Sequence, residues 1–242
     1  MTAPELYDLA PSPWSLRARW ALHHHEIKHL KHDYQPFIGE LAFRWKLWDW
    51  TGKVTTPALI TSSGSVRDGL AIARWAESHS TLSAASPLFP EGSLSDILRF
   101  DQQCLKRLKR SFFPEKAVDL LGERILGLLG TVILTLFARK YRSISTATSK
   151  QEAENWLVEC KGRLKPGTYV LGAFTFADIA AAITIEYLHT TNAIGKQALG
   201  DEWARLPADV SHLVDDNLVA YCSWIYEKHF PASCPRIKKL GK

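Results

Sequence analysis

Apolar positions recur along this chain with two different periods, which alternate up to about residue 80 and give way to the helical period alone beyond it. Residues 5–9 form a short apolar segment after a proline and predict a strand. Ser12-Pro13-Trp14-Ser15 then carries helix-start chemistry, a serine that can cap followed by proline at the first helical position. Leu16, Trp20 and His23 continue at helical spacing. Residues 27–34 set Ile27, Leu30 and Tyr34 among lysines and histidines and read as a second strand. Leu41, Trp45 and Trp48 predict a helix over 39–50, with Gly52 as its stop. A strand over 58–61, a tight turn at Ser62-Ser63-Gly64 and a returning strand over 65–67 make a hairpin. Asp68 caps a helix whose apolar stripe is Leu70, Ile72, Ala73, Trp75 and Ala76. The predicted order is β-α-β-α-β-β-α.

From residue 80 to 95 the composition turns to Ser, Pro and Gly, the mark of a domain boundary. The expected division is a first domain over 1–80, a linker over 81–95 and an all-helical domain over 96–242. Helices are predicted over 96–113, 115–141, 150–163, 176–190 and 206–229. Thr175-Phe176-Ala177-Asp178 is an acidic variant of the capping box. Thr175 is expected to bond the Asp178 N–H, and the Asp178 carboxylate to reach back to the Thr175 N–H, with Phe174 and Ile179 as the hydrophobic staple. The apolar run 125–138 falls short of the roughly 20 residues of a spanning helix and predicts a buried core helix.

A hydrophobic share of 46% against 23% charged residues is the balance of a folded globular chain. Nine tryptophans point to large cores or aromatic-lined pockets. The net charge of +5 is dispersed, apart from short groups at 106–110 and 236–242. A nucleic-acid partner, which would call for charge gathered on one face, is therefore not expected, and a site for a small anion accounts for the charge as well. Cys104, Cys160, Cys222 and Cys234 show no paired spacing, so neither a disulfide framework nor a zinc site is expected, and a reducing, cytoplasmic location fits best. The first nine residues lack the basic and apolar regions of a signal peptide. His23-His24-His25, with His29 and His32, have no acidic or cysteine partner placed to complete a metal site; they predict a solvated helix end followed by a strand, with no metal.

The arrangement resembles the glutathione transferase superfamily, whose members join an N-terminal thioredoxin-like domain to an all-helical domain. Four stretches carry the likeness. Residues 6–22, LYDLAPSPWSLRARWAL, look like the family's first strand, active-site loop and first helix. Residues 52–59, GKVTTPAL, are similar to the loop that holds the family's cis-proline. Residues 66–75, VRDGLAIARW, resemble its acidic-Ser-x-Ala-Ile motif, and 175–178 its capping box. The likeness covers most of the first 80 residues and one segment of the rest. The fold it implies is an α/β thioredoxin-like domain followed by an all-α domain.

The same resemblance implies a glutathione site. Ser12 stands where the family has its catalytic Ser, Tyr or Cys. A free thiol has a pKa of about 8.5, and a hydroxyl that donates a hydrogen bond to sulfur favours the thiolate, helped by a nearby helix N-terminus. Capping uses an oxygen lone pair and catalysis the hydroxyl proton, so one serine can do both. Aligned from the helix side, Trp14 or Ser15 comes near the sulfur instead; Trp14, with only an indole N–H, suits a pocket wall. The loop has no cysteine, which argues against mixed-disulfide chemistry, and Tyr7 reads as structural. Thr56, before a cis Pro57, is implied to offer its N–H and C=O to the cysteinyl backbone of glutathione like an added strand. Here the loop reads Val-Thr-Thr-Pro, not Val-Pro, and Lys53 is expected to reach the glycine carboxylate. Asp68 is expected to meet the ligand's ammonium group. Gly69 stands where the family has Ser or Thr to hold the γ-glutamyl carboxylate, and the missing hydrogen bond to a charged group is worth on the order of 1.5–3 kcal/mol. Arg67 and Arg17 are candidates to compensate.

The reading is a glutathione transferase-type enzyme of detoxification, with glutathione as co-substrate and an apolar electrophile held by the helical domain. Trp14, Phe112 and Phe113 are the expected pocket lining. The resemblance implies a homodimer; membrane association is not expected. The alternative is a non-catalytic binding or assembly module on the same fold, which Gly69 and the longer proline loop favour. A third is a membrane-associating member using 126–137.

Overall fold

The computed structural model describes residues 3–9, 12–34, 39–51, 54–112, 150–199 and 214–234, with side chains other than those of 106–112, 150–153 and 191–199. Strands β1 (Glu5–Asp8), β2 (Leu30–Asp33), β3 (Ala58–Thr61) and β4 (Gly64–Arg67) form one sheet in the order β2-β1-β3-β4. β1 runs parallel to β2, Leu6 opposite Lys31, and antiparallel to β3, Leu6 opposite Leu59. In the β3–β4 hairpin Thr61 pairs with Gly64, so Gly64 belongs to the strand rather than to the turn expected at 62–64. Its φ of 132° lies where only glycine is unstrained.

Helix α1 (Pro13–His24) joins β1 to β2, α2 (Glu40–Leu47) joins β2 to β3, and α3 (Gly69–Ser78) follows β4, giving the predicted order. α2 stops earlier than predicted because Trp48 turns left-handed, φ 51°, and its N–H closes onto the Arg44 and Trp45 carbonyls. Beyond the linker lie α4 (Leu94–Phe112), α5 (Lys150–Arg163), α6 (Phe176–Leu199) and α7 (Asp216–His229). α5 has the predicted bounds, and α6 runs past the predicted stop at 190. The predicted helix 115–141, the apolar run within it and the start of 206–229 lie outside the described residues. Among those described, no helix is long and apolar enough to cross a membrane.

Leu6 and Leu59 pack one face of the sheet against Ala18 and Leu22 of α1 and Ile72 and Ala76 of α3. α2 covers the other face through Phe43 and Leu47, which meet Tyr34, Val54 and Ala58. A larger core joins the two halves of the chain: Leu16, Trp20 and Ala73 pack with Ile97 and Cys104 of α4, Trp156 of α5, Ile183 of α6 and Tyr221 of α7. The Trp20 indole donates to the His229 carbonyl at 3.1 Å. The segment between α3 and α4 is pinned: the Glu77 carboxylate accepts from Leu88 N–H (2.7 Å) and Phe89 N–H (3.0 Å), and the Leu88 carbonyl accepts from Phe176 N–H (3.0 Å).

Two local expectations need correction. His25 caps the C-terminus of α1 and is buried, so the histidine run is not a solvated helix end. Glu77 stands 3.5 Å from it, yet that carboxylate is committed to the two amides above, and burial drives the His25 imidazole down to about 4, leaving it neutral. At α6 the Asp178 carboxylate accepts from Thr175 N–H at 2.9 Å as expected. The Thr175 hydroxyl, however, takes the Ala177 N–H (3.3 Å), and the Asp178 N–H goes to the Thr175 carbonyl (3.1 Å). Phe174 stacks on the His229 ring at 3.8 Å, while Ile179 is fully buried in the core.

Candidate functional site

β1 turns Leu6 and Asp8 inward and ends where the chain bends into α1. Two bonds close that bend: Ser12 N–H to the Leu9 carbonyl (2.9 Å) and Leu9 N–H to the Ser15 hydroxyl (3.1 Å). Asp8, fully buried, faces Arg19 at 3.2 Å and Lys31 at 3.8 Å; burial pushes its carboxyl up against the pull of both cations. Ser12 is the N-cap of α1, with extended backbone (φ −79°, ψ 127°), and its Oγ accepts the Ser15 N–H at a long 3.4 Å. That bond uses a lone pair and leaves the hydroxyl proton to donate elsewhere. Ser15 is buried with its oxygen on Leu9 N–H, so it holds the loop.

Segments distant in sequence meet beside this turn. The Thr56–Pro57 bond is cis, and the Pro57 carbonyl accepts the Asp68 N–H at 3.2 Å. Asp68 caps α3, its Oδ1 accepting from both Leu70 N–H and Ala71 N–H at 2.9 Å. Its backbone is at φ 72°, uncommon for a residue with a side chain. Gly69, the first residue of α3, lies against the first turn of α1: a Cβ there would stand 2.8 Å from the Trp14 carbonyl oxygen and 3.2 Å from Arg17 Cβ. Gly69 is therefore more than a lost hydroxyl, since α1 occupies the space any side chain would need.

Of the two candidate compensating cations, Arg67 is bound to Asp49 at 2.6 Å. Arg17 is buried and donates through Nη1 to Oδ1 of Asp101, on α4, at 2.7 Å. Its Nε and Nη2, and Asp101 Oδ2, have no hydrogen-bond partner among the described residues. Burial pushes the Asp101 carboxyl up; Arg17 opposes the shift and the negative charge of Asp68 adds to it. The sequence reading missed Asp101. Its signal is an acid on the apolar stripe of α4, between Ile97 and Cys104, both fully buried.

Ser12, Trp14, Thr56, Pro57, Asp68 and Gly69 thus fall on three adjoining segments, with Trp14 half-buried. Lys53 and Phe113 lie outside the described residues, and Phe112 ends α4 with its side chain outside them. Among the described residues no group of three His, Cys, Asp or Glu stands together to hold a metal.

A mixed four-stranded sheet with α1 and α3 on one face and α2 on the other, and a cis-proline leading into β3, defines a thioredoxin-like domain, here joined to a helical layer. The family model described as glutathione S-transferase, N-terminal domain, matches residues 11–79. The fold is similar to that of glutathione transferase Omega 3C from Trametes versicolor, at 14% identity and TM-score 0.59, over 99% of this chain and 91% of that one. It is similar to a glutathione S-transferase from Methylobacillus flagellatus with glutathione bound, at 15% identity and TM-score 0.58, over 97% and 100%. A third such structure, from Methylobacterium radiotolerans in complex with glutathione sulfonate, is 21% identical with TM-score 0.52, over 100% and 99%. No curated protein matches the chain in sequence. The first domain thus matches the glutathione S-transferase N-terminal family model over residues 11–79, and along nearly the whole chain the fold is similar to that of glutathione transferase structures.

Proposed function

We propose that this protein is a glutathione transferase-type enzyme whose bound glutathione thiolate attacks an apolar electrophile. The observation that carries the reading is the meeting of α1's first turn, the Thr56–Pro57 loop and the α3 N-terminus, fixed by the 3.2 Å bond from Asp68 N–H to the Pro57 carbonyl and the contact of Gly69 with α1. Similar structures hold glutathione or glutathione sulfonate, which supports the same ligand here.

In this reading Ser12 donates its hydroxyl proton as a hydrogen bond to the glutathione sulfur and, with the positive end of α1, lowers the thiol pKa from about 8.5. The thiolate then forms a bond to an electrophilic carbon as a leaving group departs with its bonding electrons. Thr56 pairs through N–H and C=O with the cysteinyl backbone, and Lys53 takes the glycine carboxylate. Asp68 Oδ1 is occupied by α3, so the ammonium group falls to Oδ2. The γ-glutamyl carboxylate takes the Gly69 N–H and the unpaired donors of Arg17, which stand in for the missing hydroxyl. The helical part, with Trp14, Phe112 and Phe113, lines the electrophile pocket. Two copies pair in the cytoplasm, with no nucleic acid and no metal.

Calorimetric titration with glutathione, beside conjugation of an aryl halide, tests this in the native protein and a Ser12→Ala variant. Both are expected to bind. Conjugation by the variant is expected to fall roughly 10- to 100-fold, the worth of one hydrogen bond to a charged group. Absence of binding at millimolar glutathione would overturn the enzyme reading. It would favour a non-catalytic binding module, the reading supported by the close packing of Gly69 on the Trp14 carbonyl.

A further inference from the structure

The histidines around the end of α1 have no part in the glutathione reading, and two of them open onto a cleft. His23 lies about 16 Å from Ser12, at 1.5 Å for each helical residue. There an open cleft of about 570 Å³ lies between the C-terminal end of α1, the start of β2 and the segment after α7. Its size is that of a small-molecule site. Arg19, Lys28 and Lys31 line it with His23 and His29, against one acid, Glu26. Arg19 is 2% exposed, so this is not a patch of surface lysines alone.

The negative end of a helix would oppose an anion here. It is quenched, because the N–H groups of His25, Glu26 and Ile27 close onto the Ala21, His23 and Leu22 carbonyls. Asp8 holds Arg19 at 3.2 Å but does not line the cleft. Lys28 is exposed and has no ion pair among the described residues. Lys31 is bound to Asp33 at 2.7 Å, but that carboxylate is 71% exposed, and so solvated a pair yields readily to a ligand.

The two histidines set the chemistry. His29 Nδ1–H donates to the Ile27 carbonyl at 2.8 Å, and His23 Nδ1 shares a hydrogen bond with the Ser233 hydroxyl at 2.8 Å. Neither Nε2 has a hydrogen-bond partner among the described residues. The rings stand 5.3 Å apart, edge to face. Burial, and then the positive charge of His29 and Arg19, hold the His23 imidazole below its usual range. Such a site favours an anion that brings its own proton. A phosphate monoester does so, because its second proton leaves near pH 6. One proton can then lie between a phosphate oxygen and an imidazole Nε2, while the other oxygens meet the cations. Sulfate has no such proton. Glu26 repels a second anionic group and accepts from hydroxyls, so the body attached to the phosphate is neutral and hydroxylated.

We infer that this cleft binds a small, hydroxyl-bearing phosphate monoester, seated among Arg19, His23, Lys28, His29 and Lys31. The site is remote from Ser12 and stands or falls apart from the glutathione reading.

Calorimetric titration with glycerol 3-phosphate at neutral pH and fixed ionic strength tests it, beside sulfate and beside vesicles containing phosphatidic acid. The chains compared are the native one, Lys28→Glu, His29→Ala and Lys165→Glu. Lys165, exposed beyond α5, controls for the same charge reversal elsewhere. The native chain is expected to bind glycerol 3-phosphate with a Kd below about 1 mM, and more tightly than sulfate. Lys28→Glu and His29→Ala are expected to weaken binding roughly 10- to 100-fold, with unchanged far-ultraviolet spectra. Lys165→Glu and added glutathione are expected to leave it unchanged. Native affinity in both cleft variants would overturn the inference. So would equal binding of sulfate, displacement by glutathione, or binding to the vesicles alone.

Discussion

Gly69 answers two demands that pull apart. Charge recognition at a helix N-terminus favours a hydroxyl there, while the approach of α1 leaves no room for one: a Cβ would sit 2.8 Å from a backbone oxygen that cannot swing aside. Introducing a hydroxyl with Gly69→Ser is therefore expected to destabilise the fold by about 1–3 kcal/mol, the usual effect of overpacking. Glutathione binding is expected to weaken, because α1 carries Ser12 and must shift. Denaturant unfolding and calorimetry check both effects; a variant of native stability with tighter binding would show that α1 yields. The sequence exposes the missing hydroxyl as a departure from a motif. The packing reason is invisible there, because Trp14 and Gly69 meet only through the tertiary approach of α1 to α3.

The start of α6 depends on one carboxylate. Asp178 accepts from Thr175 N–H, Val170 N–H (2.8 Å) and the Tyr221 hydroxyl (3.0 Å), all in the interior. Burial raises its pKa, and these hydrogen bonds pull it back. Asp178→Ala would strand these buried donors, and the Thr175 hydroxyl that also reaches the carboxylate at 3.3 Å, at about 1–3 kcal/mol for each one left unpaired, so a loss on the order of 3–5 kcal/mol is expected in chemical denaturation. A loss below about 1 kcal/mol would mean that water or another acceptor replaces the carboxylate. The bond to Thr175 was legible because caps repeat at fixed local spacing. Those to Val170 and Tyr221 were not, since nothing local ties α7 to this end of α6. Asp101 on α4 is a similar case: its place in an apolar stripe was readable, its partner Arg17 was not.

The seams that join the helices to one another and to the sheet hold two neutral histidines. His25 sits where α1 meets α3 and the linker. His229, at the end of α7, receives the Trp20 indole on its carbonyl and stands 2.9 Å from the Tyr169 hydroxyl. Burial lowers each imidazole to about 4. An unfolded histidine titrates near 6.5, so between these values the unfolded chain holds the extra protons. The stabilisation is complete above roughly pH 6.5 and is lost as pH falls towards 4, by at most about 1.4 kcal/mol per pH unit for each group. The buried carboxyls of Asp8, Asp101 and Asp178 are raised and act with the opposite sign, so a comparison isolates the histidine. Between pH 7 and pH 5, thermal unfolding of His25→Gln is expected to shift less towards instability than that of the native chain. Equal shifts would mean that His25 is not held neutral.

Local rules in the sequence determined the order β-α-β-α-β-β-α and the capped starts of α1, α3 and α6, because strand alternation, caps and turns act over a few residues. The resemblance of three short motifs to the glutathione transferase superfamily brought Ser12, Thr56, Pro57, Asp68 and Gly69 to notice. Only the tertiary structure decided that Arg17 pairs with Asp101, that α1 crowds Gly69, that His25 is buried, and that the α2 tryptophans face outward. Each of these depends on which surfaces meet across long stretches of chain. A helical period can place Trp45 and Phe43 on opposite faces of α2, but which face finds a sheet to cover is settled only when the chain is folded.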